Sequence, residues 1–273
     1  MRDNPKDFDG PSGVLLIDKA EDMTSHDVVA IARRALNTKK IGHCGTLDPM
    51  ATGLLMLVIG RATKIQDLLM SEDKQYVGML TLGATTSTQD RQGEVLETKP
   101  VGDLSKEQIH AAFESFMGDF EQIPPMVSAI KKDGVPLYKL ARKGIEIVRE
   151  PRKVHITGYE ISRIELPEVD FMVNCSKGFY VRTYAHDIGE KLGCGGHLSA
   201  LRRTRSGKFT LERTVTVEEL KTAPREDKEM ASAYRRLLHA GFRSGEVLRV
   251  LKRLAKNPEL LNSFEPPEEA TEE

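Results

Sequence analysis

The chain has 273 residues and a formal net charge of −1, from 40 basic and 41 acidic side chains. This length allows one substantial hydrophobic core with a small appendage. The near-neutral charge excludes a uniformly basic nucleic-acid-binding protein, so a phosphate-binding face has to come from positive charge concentrated locally.

Positive charge is concentrated in three segments. Residues 31–64, 130–153 and 200–208 carry net charges of +5, +5 and +4, so the remainder of the chain is acidic. Such segregation fits a phosphate-binding face, but it equally fits three unrelated solvated faces. The charge pattern alone does not choose between them.

The cysteines and the apolar runs indicate where the protein works. Cys44, Cys175 and Cys194 form no C-x-x-C pair, which argues against a disulfide framework and against a zinc site. The first ten residues are charged, and the longest apolar run, 54–59, is too short to span a bilayer. We expect a soluble cytoplasmic protein with no membrane contact.

Hydrophobic periodicity and capping residues predict the secondary structure in chain order. The predicted elements are a strand at 13–17, a helix from Thr24 or Ser25 to Leu36, a loop at 41–53, a strand at 54–59, a helix at 63–70, a strand at 76–82, a turn at 92–93, a helix capped by Ser105 and Gln108, a short strand and a helix near 136–143, strands at 154–164 and 170–175, a helix at 180–192, and a capping box at Thr216 and Glu219.

Strands and helices mix without a steady β-α repeat, which favours an α+β fold with a mainly antiparallel mixed sheet flanked by helices. We divide the chain into an N-terminal arm at 1–12, a central domain at 13–215 with an insertion at about 124–153, a helical extension at 216–264 and an acidic disordered end at 265–273.

The predicted loop at 41–53 holds a single carboxylate, that of Asp48. Gly42 and Gly45 permit turns closed to other residues, and Pro49 keeps Asp48 out of the helical region. A solvated turn is one interpretation of an Asp-Pro pair. An isolated carboxylate aimed by a loop also suits a nucleophile.

Four motifs resemble those of the TruB family of tRNA pseudouridine synthases. Residues 42–55 match the family pattern G-H-x-G-T-L-D-P-x-A-x-G-x-L at every fixed position. Further matches are Asp18-Lys19 with Thr24-Ser25-His26-Asp27, Pro124 to Ala129 with Tyr138, and Cys175 to Thr183 followed by His197-Leu198 and Leu201 to Thr204. Together they cover residues 13 to about 210. The resemblance implies the pseudouridine synthase fold, an insertion that faces RNA, and conversion of uridine 55 in the T-loop of tRNA to pseudouridine.

The same resemblance implies a role for each matching residue. Asp48 would be the nucleophile, Tyr76 the ring against the target base, and Arg182 the partner that keeps Asp48 ionised. From the sequence alone, Tyr76 reads instead as an aromatic residue that packs in the core, and Arg182 as a residue on a helix surface. His43, Tyr180 and Leu201 would contact the flipped nucleotide, and Lys19 would position the loop or a phosphate.

The basic segments supply the expected phosphate contacts, which are Lys131, Lys132, Arg142, Arg202, Arg203 and Arg205. We expect no metal and no cofactor, a monomer, and tRNA recognised through its T-arm without a guide RNA.

The chain departs from the family pattern at Ala20, Asp22 and Phe179, and Phe179 bears on the shape of the pocket. Two alternatives stay open: a guide-RNA-dependent synthase, and a tRNA-binding or tRNA-folding protein whose catalysis is incidental. A glycosidase is disfavoured because no second carboxylate accompanies Asp48 in its loop.

Overall fold

A computed structural model describes residues 12–222, except 129, 133, 142, 143 and 146. The predicted N-terminal arm, the predicted helices beyond residue 222 and the acidic end therefore lie outside the described residues. Within the described part of the chain, no helix is both long enough and apolar enough to cross a membrane.

Strands dominate the structure. They are β1 Gly13–Lys19, β2 Ile41–Cys44, β3 Thr52–Ile59, β4 Lys74–Leu82, β5 Ala84–Thr86, β6 Val95–Thr98, β7 Gly118–Gln122, β8 Lys131–Lys132, β9 Val135–Pro136, β10 Arg152–Glu165, β11 Glu168–Cys175, β12 Gly196–Ser206, β13 Phe209–Thr210 and β14 Val215–Thr216. The α-helices are α1 Ser25–Ala35, α2 Gln66–Met70, α3 Lys106–Glu114, α4 Leu137–Ala141, α5 Val181–Lys191 and α6 Val217–Lys221. Short 3₁₀ helices span Gly60–Ile65 and Leu211–Arg213.

Capping boxes start three of these helices where the sequence predicts them. The side chains of Thr24, Ser105 and Thr216 each accept a hydrogen bond from the backbone N–H three residues later. The side chain at that third position accepts the backbone N–H of the cap in return. Local polar chemistry therefore fixes the first turns of α1, α3 and α6.

The main sheet has ten strands, in the order β14-β1-β3-β12-β4-β11-β10-β7, with β2 and β13 paired to β3 and β12. Its pairs are antiparallel except β1 with β14 and β3 with β12. The remaining strands form two hairpins, β5-β6 and β8-β9. The predicted α+β class with a mainly antiparallel mixed sheet is confirmed.

Five strands of the main sheet are not predicted from the sequence: β2, β7, β12 and the two-residue strands β13 and β14. β2 lies inside the segment predicted as a loop, and β7 and β12 carry too many charged residues to read as strands. In β12, the pairing with β4 also shifts register between Leu198 and Ala200 and between Arg203 and Arg205. These bulges interrupt the two-residue alternation that identifies a strand.

The main hydrophobic core lies between the sheet and helices α1, α3, α5 and α6. Rings from different elements meet at its centre, where Phe113, Phe171 and Tyr184 pack edge to face with centroids 5.4–6.0 Å apart. A smaller cluster around Leu54 and Met56 covers the opposite face of β3.

The core continues past the predicted domain boundary at residue 215. β14 pairs with β1, and Val217 and Leu220 of α6 are buried in the main core with 3% and 4% exposure. The central domain therefore extends at least to Leu220. A boundary at 215 is too early, because it assigns two core side chains to the extension.

We predict that Leu220→Ala lowers the free energy of unfolding by about 2–5 kcal/mol, since it opens a cavity in the core. Glu218→Ala on the exposed side of α6 is the matched control. It loses only a surface ion pair with Lys221 and should change stability by less than about 0.5 kcal/mol. Urea denaturation of the two full-length variants measures the difference, and equal stabilities would contradict the assignment of α6 to the core.

Candidate active site

The loop that carries Asp48 is fixed on both sides of that residue. On the preceding side, the buried Ser25 hydroxyl accepts the Leu47 N–H at 2.9 Å and lies 3.2 Å from the Leu47 carbonyl, to which it donates. On the following side, Lys19 Nζ donates to the Pro49 carbonyl at 3.2 Å. The backbone around Asp48 therefore has little freedom to move.

Gly53 shows why the loop can enter the sheet where it does. Its φ is +96°, and it pairs with Arg203 across the parallel contact of β3 and β12. A Cβ at this position would lie 2.3 Å from the Arg203 carbonyl oxygen. Only glycine allows this close approach, which brings the end of the loop and the pocket side chains of β12 together.

Asp48 and Arg182 form an ion pair. Arg182 Nε lies 2.9 Å from Asp48 Oδ2, and Arg182 Nη2 donates to Asp48 Oδ1 at 3.3 Å. The Arg182 side chain is only 3% exposed, and it also donates to the carbonyls of Thr88 and Val127, each at 2.8 Å. The structure thus joins two of the residues that the resemblance selects.

Asp90 is a further member of this cluster, and the sequence analysis missed it. It is 4% exposed, and its Oδ2 lies 3.6 Å from Arg182 Nε. Its other oxygen accepts the Thr88 hydroxyl and the Gln92 backbone N–H. Two carboxylates therefore share one guanidinium. The only sequence feature near Asp90 that could have indicated a site is a short polar run of threonines beside the carboxylate, and such a run resembles an ordinary turn.

The groups around Asp48 have opposing effects on the pKa of its carboxyl group. Enclosure in the protein raises the pKa of Asp48, the positive charge of Arg182 lowers it, and the neighbouring Asp90 raises it again. The side chain nevertheless keeps one third of its surface exposed. The net effect is a pKa above the usual range for Asp, because enclosure outweighs the charge of Arg182. The ionised form of Asp48 therefore depends on Arg182, and the carboxylate is open to a pocket on its free side.

That pocket has a volume of about 330 Å³, within the range of small-ligand sites. Polar groups line one part of it and rings and aliphatic side chains line another. Among the lining residues are Asp48, Tyr76, Phe179, Tyr180, Arg182 and Leu201. The structure therefore brings together six site residues predicted from the sequence, because Arg203 also lines the pocket, and it places Phe179 beside them.

Tyr76 belongs to both the pocket and the core. It is 9% exposed on β4, and burial raises the pKa of its hydroxyl while the nearby charge of Arg203 opposes the rise. Phe179 also has a double position, since its ring contacts Phe120 and Tyr184 at centroid distances of 6.3 and 5.5 Å. The departure at Phe179 is thus accommodated by the aromatic core.

Lys19 and His43, predicted to bind substrate, do not line this pocket. Lys19 is fully buried, and its ammonium binds the carbonyls of Ala20, Met23 and Pro49. Burial lowers its pKa to about 8. Of the two roles predicted for Lys19, this placement agrees with positioning of the loop, and it argues against contact with a substrate phosphate. His43 stands edge-on to His26 at 5.3 Å, and burial lowers its pKa to about 4, so its ring is neutral at physiological pH.

The arginines of β12 do not form the predicted phosphate face beside the pocket. Arg203 is 1% exposed and donates to the carbonyls of Gly45 and Leu54. Arg202 binds Asp18, and Arg205 binds Asn174, both on the opposite side of the sheet from Tyr76. This geometry argues against phosphate contacts by these three arginines with an RNA whose base enters the pocket.

The other three predicted phosphate contacts belong to the predicted insertion at about 124–153. The side chains of Lys131 and Lys132, and the whole of Arg142, lie outside the described residues. Two lysines that sequence reasoning did not select do lie at the pocket. Lys74 lines it and binds the carbonyls of Met70 and Glu72, while the exposed Lys177 stands between the lining residues Ser176 and Gly178.

No group of three or more His, Cys, Asp or Glu residues converges in the parts of the chain that the structure covers.

Comparison with known proteins agrees with this geometry. Residues 33–181 match the TruB family pseudouridylate synthase N-terminal domain, and residues 182–240 match the tRNA pseudouridylate synthase B C-terminal domain. A tRNA pseudouridine synthase B of Opitutus terrae is 56% identical over 212 residues, which is 78% of this chain and 88% of that protein. One from Syntrophotalea carbinolica is 48% identical over 217 residues, covering 80% and 71%.

A solved structure supports the same relationship. The crystal structure of a Cbf5-Nop10-Gar1 complex contains a chain that is 30% identical, with a TM-score of 0.62. The match covers 88% of this chain but only 59% of that one. The N-terminal family model matches more than half of this chain, and the two relatives are matched over more than two thirds of their own lengths. This chain therefore belongs to the TruB family of pseudouridine synthases.

Proposed function

We propose that this protein isomerises uridine 55 in the T-loop of tRNA to pseudouridine, with Asp48 as the nucleophile. The observation that carries the proposal is the Asp48–Arg182 ion pair at the wall of a pocket that also contains Tyr76. The naming of several relatives, 46–56% identical, as tRNA pseudouridine synthase B supports tRNA as the substrate.

The chemistry requires the base to detach from the ribose and rejoin it through carbon. Asp48 would form a transient covalent adduct with either the uracil ring or the ribose, and the adduct would then collapse. The glycosidic C–N bond breaks and a C–C bond replaces it, while the ring carbon that joins the ribose loses a proton and the freed ring nitrogen gains one. Atoms and electrons therefore balance without an external oxidant or reductant. Arg182 keeps the attacking carboxylate ionised in a pocket that would otherwise favour its protonation.

The rest of the pocket would hold the flipped base. Tyr76 would lie against the ring with its hydroxyl near the reacting carbon, and Tyr180 and Leu201 would enclose the nucleotide. Burial keeps the Tyr76 hydroxyl protonated at neutral pH, because it raises the pKa. The residue can therefore donate a hydrogen bond.

A guide-RNA-dependent synthase is the second candidate, because the similar Cbf5 chain comes from a complex with Nop10 and Gar1. That chain is 30% identical, whereas the relatives named tRNA pseudouridine synthase B reach 56%. The difference favours direct action on tRNA. Activity on a free tRNA transcript, with no other protein or RNA present, would separate the two.

We predict that the purified protein forms pseudouridine at position 55 of an unmodified tRNA transcript, and that Asp48→Asn lowers turnover by at least about 10⁴-fold. Stability should stay close to that of the wild type, because Asp90 remains beside the buried Arg182. Base-specific chemical mapping identifies the modified position. Modification at another site would refute the proposed target, and turnover by Asp48→Asn would refute the nucleophile.

We predict that Arg182→Lys lowers the single-turnover rate by about 100-fold, because one ammonium cannot bind both Asp48 oxygens and two carbonyls. The rate should fall as the pH drops through the pKa of Asp48, since only the carboxylate attacks. Weaker pairing raises that pKa, so the acid limb of the variant should move to higher pH. Arg205→Lys is the control and should keep the rate and the acid limb of the wild type. A wild-type rate and an unshifted acid limb in Arg182→Lys would contradict the role assigned to Arg182.

We also propose that Lys177 contacts an RNA phosphate at the pocket rim. Lys177→Ala should weaken tRNA binding. It should also reduce the slope of log Kd against log salt concentration by about one, which is the contribution of one phosphate contact. Arg205→Ala on the far side of the sheet should leave both unchanged. Binding measured between low and moderate salt tests the pair. The reverse pattern would show that RNA covers the opposite face.

A further inference from the structure

Gln122 holds the main chain of Tyr180 by two hydrogen bonds. Its Nε2 donates to the Tyr180 carbonyl at 3.1 Å, and its Oε1 accepts the Tyr180 N–H at 2.8 Å. Gln122 is 2% exposed and lies at the end of β7, 58 residues earlier in the chain. One buried side-chain amide thus binds both backbone polar groups of a distant residue.

Tyr180 is the residue from which α5 starts. Its backbone is extended, with φ −109° and ψ 108°, and its side chain makes no capping hydrogen bond. Its carbonyl also accepts the first helical hydrogen bond, from Tyr184 N–H at 3.1 Å. Because the cap position lacks its own side-chain bond, the amide of Gln122 supplies the missing constraint on where α5 begins.

Arg182 lies two residues farther along, in the first turn of α5. Its Nη2 reaches back to the Val127 carbonyl at 2.8 Å, five residues after Gln122. The chain from Gln122 to Val127 and the chain from Tyr180 to Arg182 are therefore tied together at both ends. Because hydrogen bonds join both ends, a displacement of one segment also displaces the other.

We propose that Gln122 is a positioning residue, whose amide fixes the start of α5 so that Arg182 meets Asp48 in the correct orientation. Gln122 does not line the pocket, so it acts through Tyr180 and Arg182 and not by touching substrate. The inference rests on the proposed function, because it assigns Gln122 to the same reaction.

Gln122→Met tests this role, since it keeps the length of the side chain and removes both hydrogen bonds. The single-turnover rate should fall about 10- to 100-fold, the usual cost of a small misplacement of a catalytic group. The tRNA Kd should change less than about threefold. Gln66→Met is the matched control, because the Gln66 amide also donates to a backbone carbonyl, that of His43, but does not contact α5.

The pH dependence separates positioning from general loss of stability. The charged and titratable groups around Asp48 are Arg182 from α5, Asp90 from the turn after β5, Lys19 from β1, Tyr76 from β4 and Tyr180 at the start of α5. The side-chain amide of Gln122 binds the start of α5, at Tyr180. Displacement of Arg182 should move the acid limb of Gln122→Met to higher pH, whereas the core variant Val154→Ala, although destabilised, should keep the wild-type limb.

Each outcome has one meaning. A wild-type rate and acid limb in Gln122→Met, with an active wild type, would overturn the inference alone. A wild type without turnover on tRNA would overturn the proposed function and this inference with it. If Gln122→Met does not fold, Gln122→Glu replaces it, because it keeps the acceptor for the Tyr180 N–H and loses the donor. Its rate should lie below that of the wild type, and an equal rate would refute the role.

Discussion

The structure depends on the ion pair between one enclosed carboxylate and one buried guanidinium. Asp48 pairs with Arg182, which is itself almost fully buried and therefore needs partners on every side. Those partners come from separate parts of the chain: the loop after β2, the turn after β5, and the segment after β7. Because one guanidinium gathers these segments, the electrostatic requirement of the site is also a constraint on the fold.

The pairing of β3 with β12 places the other half of the pocket. These strands run parallel over Thr52–Gly53 and Arg202–Arg203, so the end of the Asp48 loop adjoins Leu201 and Arg203 although 150 residues separate them. Gly53 allows the backbones to approach, and Arg203 then binds carbonyls in the loop and in β3. Fold topology and loop position are therefore set by the same contacts.

Local sequence was sufficient for features that local chemistry determines. The capping boxes at Thr24, Ser105 and Thr216 and the antiparallel pair β10-β11 follow from patterns within a few residues. Features decided by distant partners could not be found this way. Nothing near Asp90 indicates that it lies beside Arg182, and the arginines of β12 read as one basic patch until the pleat divides them between the two faces of the sheet.

Three buried cations at or next to the pocket share one property. Lys19, Lys74 and Arg203 are each less than 9% exposed, and each donates side-chain hydrogen bonds to backbone carbonyls. Carbonyl partners satisfy these donors without neutralising the positive charge. The charge of Lys19 favours the ionised form of Asp48, and Lys74 and Arg203 place further positive charge at the wall of the pocket. Positive charge is thus concentrated around the pocket although the protein as a whole is nearly neutral, and it comes from side chains that are themselves almost fully buried.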